Sequence, residues 1–145
     1  MRQSSSHAPL HLAKVRLFRD LPEKELQQLE RRSVPRQYAA GQTILREGEQ
    51  GLALFLILKG EVRVVQQKAG ADRELARIGP GGWFGEMALF RDEAQRNASV
   101  IALEPTECLV LMRSYFLEVV REHPDIAIHL LSVLSQKITD LQHQL

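Results

Sequence analysis

The spacing of apolar residues changes twice along this chain. At the start, Leu10, Val15, Leu17 and Phe18 supply apolar contacts for a short helix over 10–18, and beyond Pro22 the pair Leu26 and Leu29 recurs at helical spacing. Proline suits a helix start because its missing amide hydrogen has no partner there anyway, so a helix from Pro22 to about Arg32 is predicted. From Ser33 to Met112 the pattern breaks into short segments. Thr43–Arg46, Leu52–Leu58, Glu61–Val65, Glu74–Ile78, Ala98–Leu103 and Glu107–Met112 read as strands, punctuated by Gly41, Gly48, Gly51, Gly60, Gly70, Gly79 and Pro105. Glycine recurs too often here for a continuous helix. Closely spaced short strands predict a small barrel or jelly roll, and Ala53 to Leu58, apolar on both strand faces, predicts a central strand covered on both sides.

Past Arg113 the helical period returns. Ser114 is placed to cap a helix over Tyr115–Arg121, and Pro124–Asp125 to start a last helix running to Leu145. Along that helix Ala127, Leu131, Leu134, Ile138, Leu141 and Leu145 step alternately by four and three residues, the spacing of a coiled-coil seam. A second stripe, Ile126, Leu130 and Val133, lies beside it. Two readings stay open at this point. One stripe packs on the barrel while the other meets a partner helix, or both form a single wide face buried on the chain's own core.

Composition narrows the function classes. A chain of 145 residues, 44% hydrophobic, fits one domain with a sizeable core. Its formal charge of +1 lacks the basic excess that a nucleic-acid-coating surface needs. The apolar run Leu52–Leu58 is far short of the roughly 20 residues a membrane-spanning helix requires. Residues 1–9, with Ser4, Ser5 and Ser6 in a row, read as a disordered leader without the apolar stretch of a secretory signal, so a cytoplasmic protein is expected. Cys108 is the single cysteine, which excludes intrachain disulfides and cysteine-built metal sites. His7, His11, His123, His129 and His143 all fall outside the strand region, which removes a metal-dependent cupin enzyme. The sequon Asn97-Ala98-Ser99 is read as coincidence.

Candidate chemistry concentrates where glycine does. All nine glycines lie between Gly41 and Gly85, and four of them fall in the segment Gly79-Pro80-Gly81-Gly82-Trp83-Phe84-Gly85. Such a segment lets backbone approach a ligand without obstruction from Cβ. Glu86 to Phe90 then has helix-forming composition, which would present amides to an anion. Arg96 follows ten residues after Glu86, far enough for the chain to leave the turn and return as a strand. Its planar, permanently charged fork suits a phosphate, while a carboxylate accepts from a sugar hydroxyl. Spacing alone favours the plainer reading, a structural ion pair between Glu86 and Arg96 holding a loop to a strand.

At these residues the sequence resembles the cyclic nucleotide-binding domain family, of the catabolite activator and kinase regulatory subunit type. The family's phosphate-binding cassette is matched by Phe84-Gly85-Glu86-Met87-Ala88-Leu89 and then Arg96-Asn97-Ala98-Ser99-Val100, with Gly41, Ile44, Gly48, Phe55, Gly60, Val62 and Gly82 in the upstream signature. The resemblance covers about Leu17 to Leu145. It implies a mainly β fold with flanking helices: a double-stranded β-helix (jelly-roll) barrel over about 33–113, N-terminal helices, a short cassette helix, and a long lid helix over about 124–145, all within one domain over 10–145.

Site roles follow from the resemblance in the same way. Glu86 would accept from the ribose 2′-hydroxyl beside the Gly85 amide. Arg96 would hold the exocyclic phosphate with the amides at Asn97 and Ala98, next to Ser99. Val64, Ile78, Phe84 and Met87 would wall the ribose and base, and Lys137, Leu141 and Gln142 would be lid contacts. The ligand implied is a cyclic purine mononucleotide, cAMP favoured over cGMP, with no metal or other cofactor and no catalysis. Four positions depart from the pattern: Gln95 replaces the proline of kinase regulatory sites, Asn97 stands where alanine, threonine or serine is usual, Lys137 stands where the activator proteins carry arginine, and Leu141 replaces a hydroxyl residue. The last implies that adenine is recognised by packing. A homodimer through the C-terminal helix is the expected partnership, without direct nucleic-acid binding or membrane insertion by this chain. The alternatives are the sensor fragment of a transcription regulator and an interaction module with a vestigial pocket.

Overall fold

The computed structural model describes residues 10–91 and 96–144. The expected leader over 1–9, and with it Gln95 and Leu145, lie outside the described residues. In place of a short helix over 10–18 there are two 3-10 turns, His11–Lys14 and Arg16–Phe18. Helix α1 (Glu23–Arg31) starts just behind Pro22, whose carbonyl accepts from the amides of Glu25 and Leu26 at 2.9 and 3.1 Å. Eight strands follow: β1 (Val34–Tyr38), β2 (Thr43–Leu45), β3 (Ala53–Lys59), β4 (Val62–Lys68), β5 (Ala71–Ile78), β6 (Trp83–Phe84), β7 (Ser99–Ala102) and β8 (Thr106–Met112). Helices α2 (Arg113–Glu122) and α3 (Asp125–His143) close the described chain.

The strands form two antiparallel sheets, ordered β1-β8-β3-β6 and β2-β7-β4-β5, which remain separate ladders among the described residues. This is the mainly β jelly roll with flanking helices that the spacing predicts. Strand β1 escapes the sequence pattern because Pro35 interrupts it; as an edge strand it can spare an amide hydrogen on its open side.

Strand β3 runs between β8 and β6 and is buried over most of its length. Side-chain alternation divides its residues. Leu54 and Leu56, with Leu109 and Leu111 of β8, join the helical layer, where Leu12, Phe18, Leu29, Phe116 and Ile126 are buried. Ala53, Phe55 and Ile57, with Cys108 and Val110, face the interior between the sheets, where Val62 and Val100 of the other sheet meet them. Phe55 and Phe84 stack there with centroids 5.0 Å apart. Both faces of β3 are therefore covered over most of its length. The apolar run at Ala53–Leu58 has this cause.

Two sequence expectations for the C-terminal helices change. Strand β8 passes directly into α2, with extended Met112 at the N-cap and no side-chain cap, so Ser114 lies inside the first turn. The Arg113 amide, one of the first-turn donors without an intrahelical partner, is bonded to the Leu52 carbonyl at 2.8 Å. On α3 the two apolar stripes separate except at Leu134. Ile126 and Leu130 are buried against the body, with Val133 and, from the other stripe, Leu134 packed beside them, whereas Leu131, Ile138 and Leu141 are 65%, 58% and 62% exposed. Among the described residues no helix is long and apolar enough to cross a membrane.

Candidate functional site

The site is built at the join between β6 and the return strand β7. Strand β6 is pinned to β3 by the pairs Phe55–Phe84 and Leu56–Trp83. Gly85 follows in the left-handed region (φ 83°), a conformation that turns the chain sharply off the sheet. Glu86–Leu89 then make a single 3-10 turn, not the longer helix expected over Glu86–Phe90; its amide bonds run from Ala88 to Gly85 and from Phe90 to Met87, both at 3.1 Å. Buried Ala88 and Leu89 anchor the turn, leaving Glu86 and Met87 on its outer side, with Met87 49% exposed. A turn this short contributes individual amides, with no appreciable macrodipole.

Arg96 is held from three directions. Its amide donates to the Glu49 carbonyl at 2.8 Å and its carbonyl accepts from the Gly48 amide at 2.7 Å. Its Nη2 donates to the Ala53 carbonyl at 3.1 Å, while Nε is buried and has no partner. Burial pushes the guanidinium pKa down, and the charge of Glu86 opposes that shift. Arginine nevertheless stays protonated. No ion pair joins Arg96 to Glu86; among the described residues the ion pairs are Arg32 with Glu118 and Glu122, Glu74 with Arg63 and Arg77, and His129 with Glu25. The two charged groups are neighbours that leave each other's hydrogen-bonding positions free.

Between them opens a cavity of about 490 Å³. The turn contributes Phe84, Gly85, Glu86 and Met87 to its wall, the return segment Arg96, Asn97 and Ala98, and β4 contributes Val64. Those eight predicted positions are thus brought together. Ile78 instead packs against the interior apolar cluster. Ser99 lies beside the cavity lining with its Oγ accepting from the Glu47 amide at 2.9 Å, which ties the β2–β3 loop to β7. Lys137, Leu141 and Gln142 sit on the far half of α3 and do not line the cavity. Sequence reasoning overlooked Leu45, Val100, Ala88 and Arg91 in the wall. Ala88 stood within the quoted motif, and Leu45 and Val100 are paired across β2 and β7. Arg91 carried no signal beyond its place just after the turn.

The volume is that of a small-molecule site, which typically occupies about 300–1,000 Å³. A fixed cation, a carboxylate acceptor, an apolar wall and backbone without Cβ suit a small anion that also carries a hydroxyl and an apolar ring. The fold and this wall are those of a small-ligand-binding domain.

Over residues 35–123 the chain matches the family model of the cyclic nucleotide-binding domain, and it belongs to that family. It is 39% identical over 111 residues to the Cyclic AMP receptor protein of Thermus thermophilus, covering 76% of this chain and 51% of that protein. It is 37% identical over 108 residues to cGMP-dependent protein kinase 2 of Homo sapiens, covering 72% of this chain and 14% of the kinase. Among solved structures, the N-terminal domain of a transcriptional regulator from Streptomyces coelicolor A3(2) superposes with a TM-score of 0.84 at 26% identity, covering 90% of this chain and 94% of that one. The chain thus spans about half of the first relative and a small part of the second. It is a cyclic nucleotide-binding regulatory domain of the catabolite activator and kinase regulatory type, a class whose work is regulation and not catalysis.

Proposed function

We propose that this domain senses a cyclic purine nucleotide, with cAMP favoured over cGMP, and relays its occupancy through movement of α3. The observation that carries the reading is the Arg96 guanidinium, whose side-chain hydrogen bond goes to the neutral Ala53 carbonyl, in the wall of a cavity that also holds Glu86. Its charge is left for an anion, and a phosphate oxygen supplies one. In this reading Arg96 and the Asn97 and Ala98 amides take the phosphate. Glu86 accepts from the ribose 2′-hydroxyl beside Gly85, while Val64, Phe84 and Met87 contact ribose and base. The Thermus relative's name supports cAMP, whereas the kinase relative is named for cGMP, so the preference is the part most exposed to experiment.

The relay rests on the division of α3. Its first half is anchored through Ile126 and Leu130, and its distal half, with Lys137, Leu141 and Gln142, is free of the cavity. Swinging that half over bound ligand would repack α3 and alter any contact made by its exposed stripe. Only a difference in ligand affinity between the two arrangements can drive such a change, and the coupling is reciprocal. The stripe is the surface we assign to a second copy of the chain. The small net charge supports the absence of a polyanion partner for this chain.

Titration calorimetry with cAMP and cGMP on the parent and on Arg96→Ala tests the reading. The expected result is tighter binding of cAMP, and a loss of roughly 100-fold in the variant, the scale of one charged hydrogen-bonding group removed. Absence of binding by both nucleotides at millimolar concentration would overturn it in favour of a pocket that has lost its ligand.

A further inference from the structure

We propose that Gly51 is a positioning residue for the Arg96 guanidinium, and that its missing side chain is part of the phosphate site. The inference rests on the reading that Arg96 takes the phosphate. Gly51 lies in the β2–β3 loop, which sequence spacing treats as strand punctuation. The structure separates it from the turn glycines. Gly41, Gly48 and Gly70 adopt positive φ and would have nothing within 4 Å of an added Cβ, so their backbone conformation explains them. Gly51 is not among the positive-φ residues, so its backbone accepts an L residue. What it does not accept is the volume: a Cβ there would lie 2.9 Å from Arg96 Cζ, 3.1 Å from Nε and 3.2 Å from the Ala88 Cβ.

The same stretch of chain grips Arg96 along its whole length. Gly48 and Glu49 hold its backbone at 2.7 and 2.8 Å, and the Ala53 carbonyl holds Nη2 at 3.1 Å. Gly51 meets the guanidinium in between, and on another side Gly85 approaches Nη1, where an added Cβ would come to 2.6 Å. Two positions without side chains therefore bound the guanidinium. A methyl at Gly51 would be relieved most easily by displacing Cζ, the far end of a flexible side chain, because Ala88 belongs to the buried turn. The fold would lose little by this, whereas the aim of the guanidinium, on which a bidentate phosphate contact depends, would change.

The test is a double-mutant cycle by calorimetry with cAMP, alongside thermal unfolding, on the full chain as parent, Gly51→Ala, Arg96→Lys and the double variant. Lysine keeps a charge at the site without the planar fork, and its flexible, unbranched amine end can turn away from the new methyl. We expect Gly51→Ala to weaken cAMP roughly tenfold, the loss of about one well-aimed charged contact, with a melting temperature within about 2 °C of the parent. In the Arg96→Lys background the same methyl should change affinity less than about twofold, because its effect passes through the guanidinium. Gly51→Ala binding like the parent, or weakening cAMP by the same factor in both backgrounds, would overturn the inference. If Arg96→Lys itself binds like the parent, the planar fork contributes nothing and the inference falls with that result. The reading beneath it fails separately, when Arg96→Ala binds as the parent does.

Discussion

The guanidinium of Arg96 is hydrogen-bonded to the carbonyl oxygen of Ala53 at 3.1 Å, and not to the carboxylate of Glu86. The distinction decides what the cavity can do. A carbonyl orients the cation without neutralising it, so the positive charge remains available to an anion. A direct pair with Glu86 would have spent both groups on each other. Instead the cavity keeps a cation and a carboxylate as separate attachment points, as a ligand with a phosphate at one place and a hydroxyl at another requires.

If Glu86 serves the ribose hydroxyl, its contribution should depend on the ligand having that hydroxyl. We expect Glu86→Gln to weaken cAMP roughly tenfold, the scale of a hydrogen bond to a charged acceptor. Binding of 2′-deoxy-cAMP should be weaker in the parent and nearly indifferent to the substitution. Calorimetry on the four combinations reads this directly. Equal loss for both ligands would remove the hydroxyl contact from the account.

Gly85 and Gly51 should differ in what they cost. At Gly85 an alanine must adopt φ near 83°, and its Cβ would lie 2.7 Å from the Ala53 carbonyl oxygen, a backbone atom of the central strand that cannot swing aside. We expect Gly85→Ala to lower unfolding free energy by about 1–3 kcal/mol, through strain at a left-handed position, as well as disturbing Arg96. Urea unfolding with an unchanged slope and a lower midpoint is the expected record. Parent-like stability would show that the turn can rearrange.

The sequence carries this architecture where a strand's neighbours are fixed by its own pattern. Ala53–Leu58 announces a doubly covered strand because both its faces really are apolar, and the burial of β3 between helices and the second sheet is the consequence. Strand β1 is hidden for the opposite reason: Val34, Pro35, Arg36 and Gln37 are exposed on an edge, so no apolar alternation marks them. The β6 pair, Trp83 and Phe84, is too short to show a period. At the site, Glu86 and Arg96 are legible as types at a recognisable spacing. The role of Gly51 is not, because it depends on which side chain crosses the β2–β3 loop, and Arg96 reaches Ala53 from 43 residues away. Likewise the alternation on α3 marks two stripes without saying which faces the body; the burial of Ile126 and Leu130 decides that.

Cys108 gives the barrel interior a built-in pH reporter. Burial, aided by the Glu107 charge, pushes its thiol from an ordinary 9.0 up to about 11. The folded state therefore keeps its proton where the unfolded chain has lost it, so the thiol's contribution is intact below pH 9 and stability falls as pH rises toward 11. A Cys108→Ala variant should lack this component, giving a shallower loss of unfolding free energy over that window than the parent. The parent thiol should also resist alkylation at pH 8 until denaturant is added, because the thiolate is the reactive form. Prompt labelling of native protein would show that the interior opens far more readily than its packing implies.

The exposed stripe on α3 makes the last prediction. Ile138 is 58% exposed, so a charge there should change the stability of an isolated copy by no more than about 0.5 kcal/mol. At the seam between two α3 helices the same charge would be buried against apolar Leu131 and Leu141 of a second copy, at a cost of several kcal/mol. We therefore expect the parent to sediment as a concentration-dependent dimer and Ile138→Lys as a monomer with unaltered thermal stability at low protein concentration. The relay adds a second readout. If α3 moves over the cavity when nucleotide binds, saturating cAMP must shift the parent's dimer dissociation constant, and cAMP affinity must change with protein concentration by the same factor. A parent that sediments as a monomer at every concentration, with and without nucleotide, would remove the seam. A dimer indifferent to cAMP would keep the seam and uncouple it from the site.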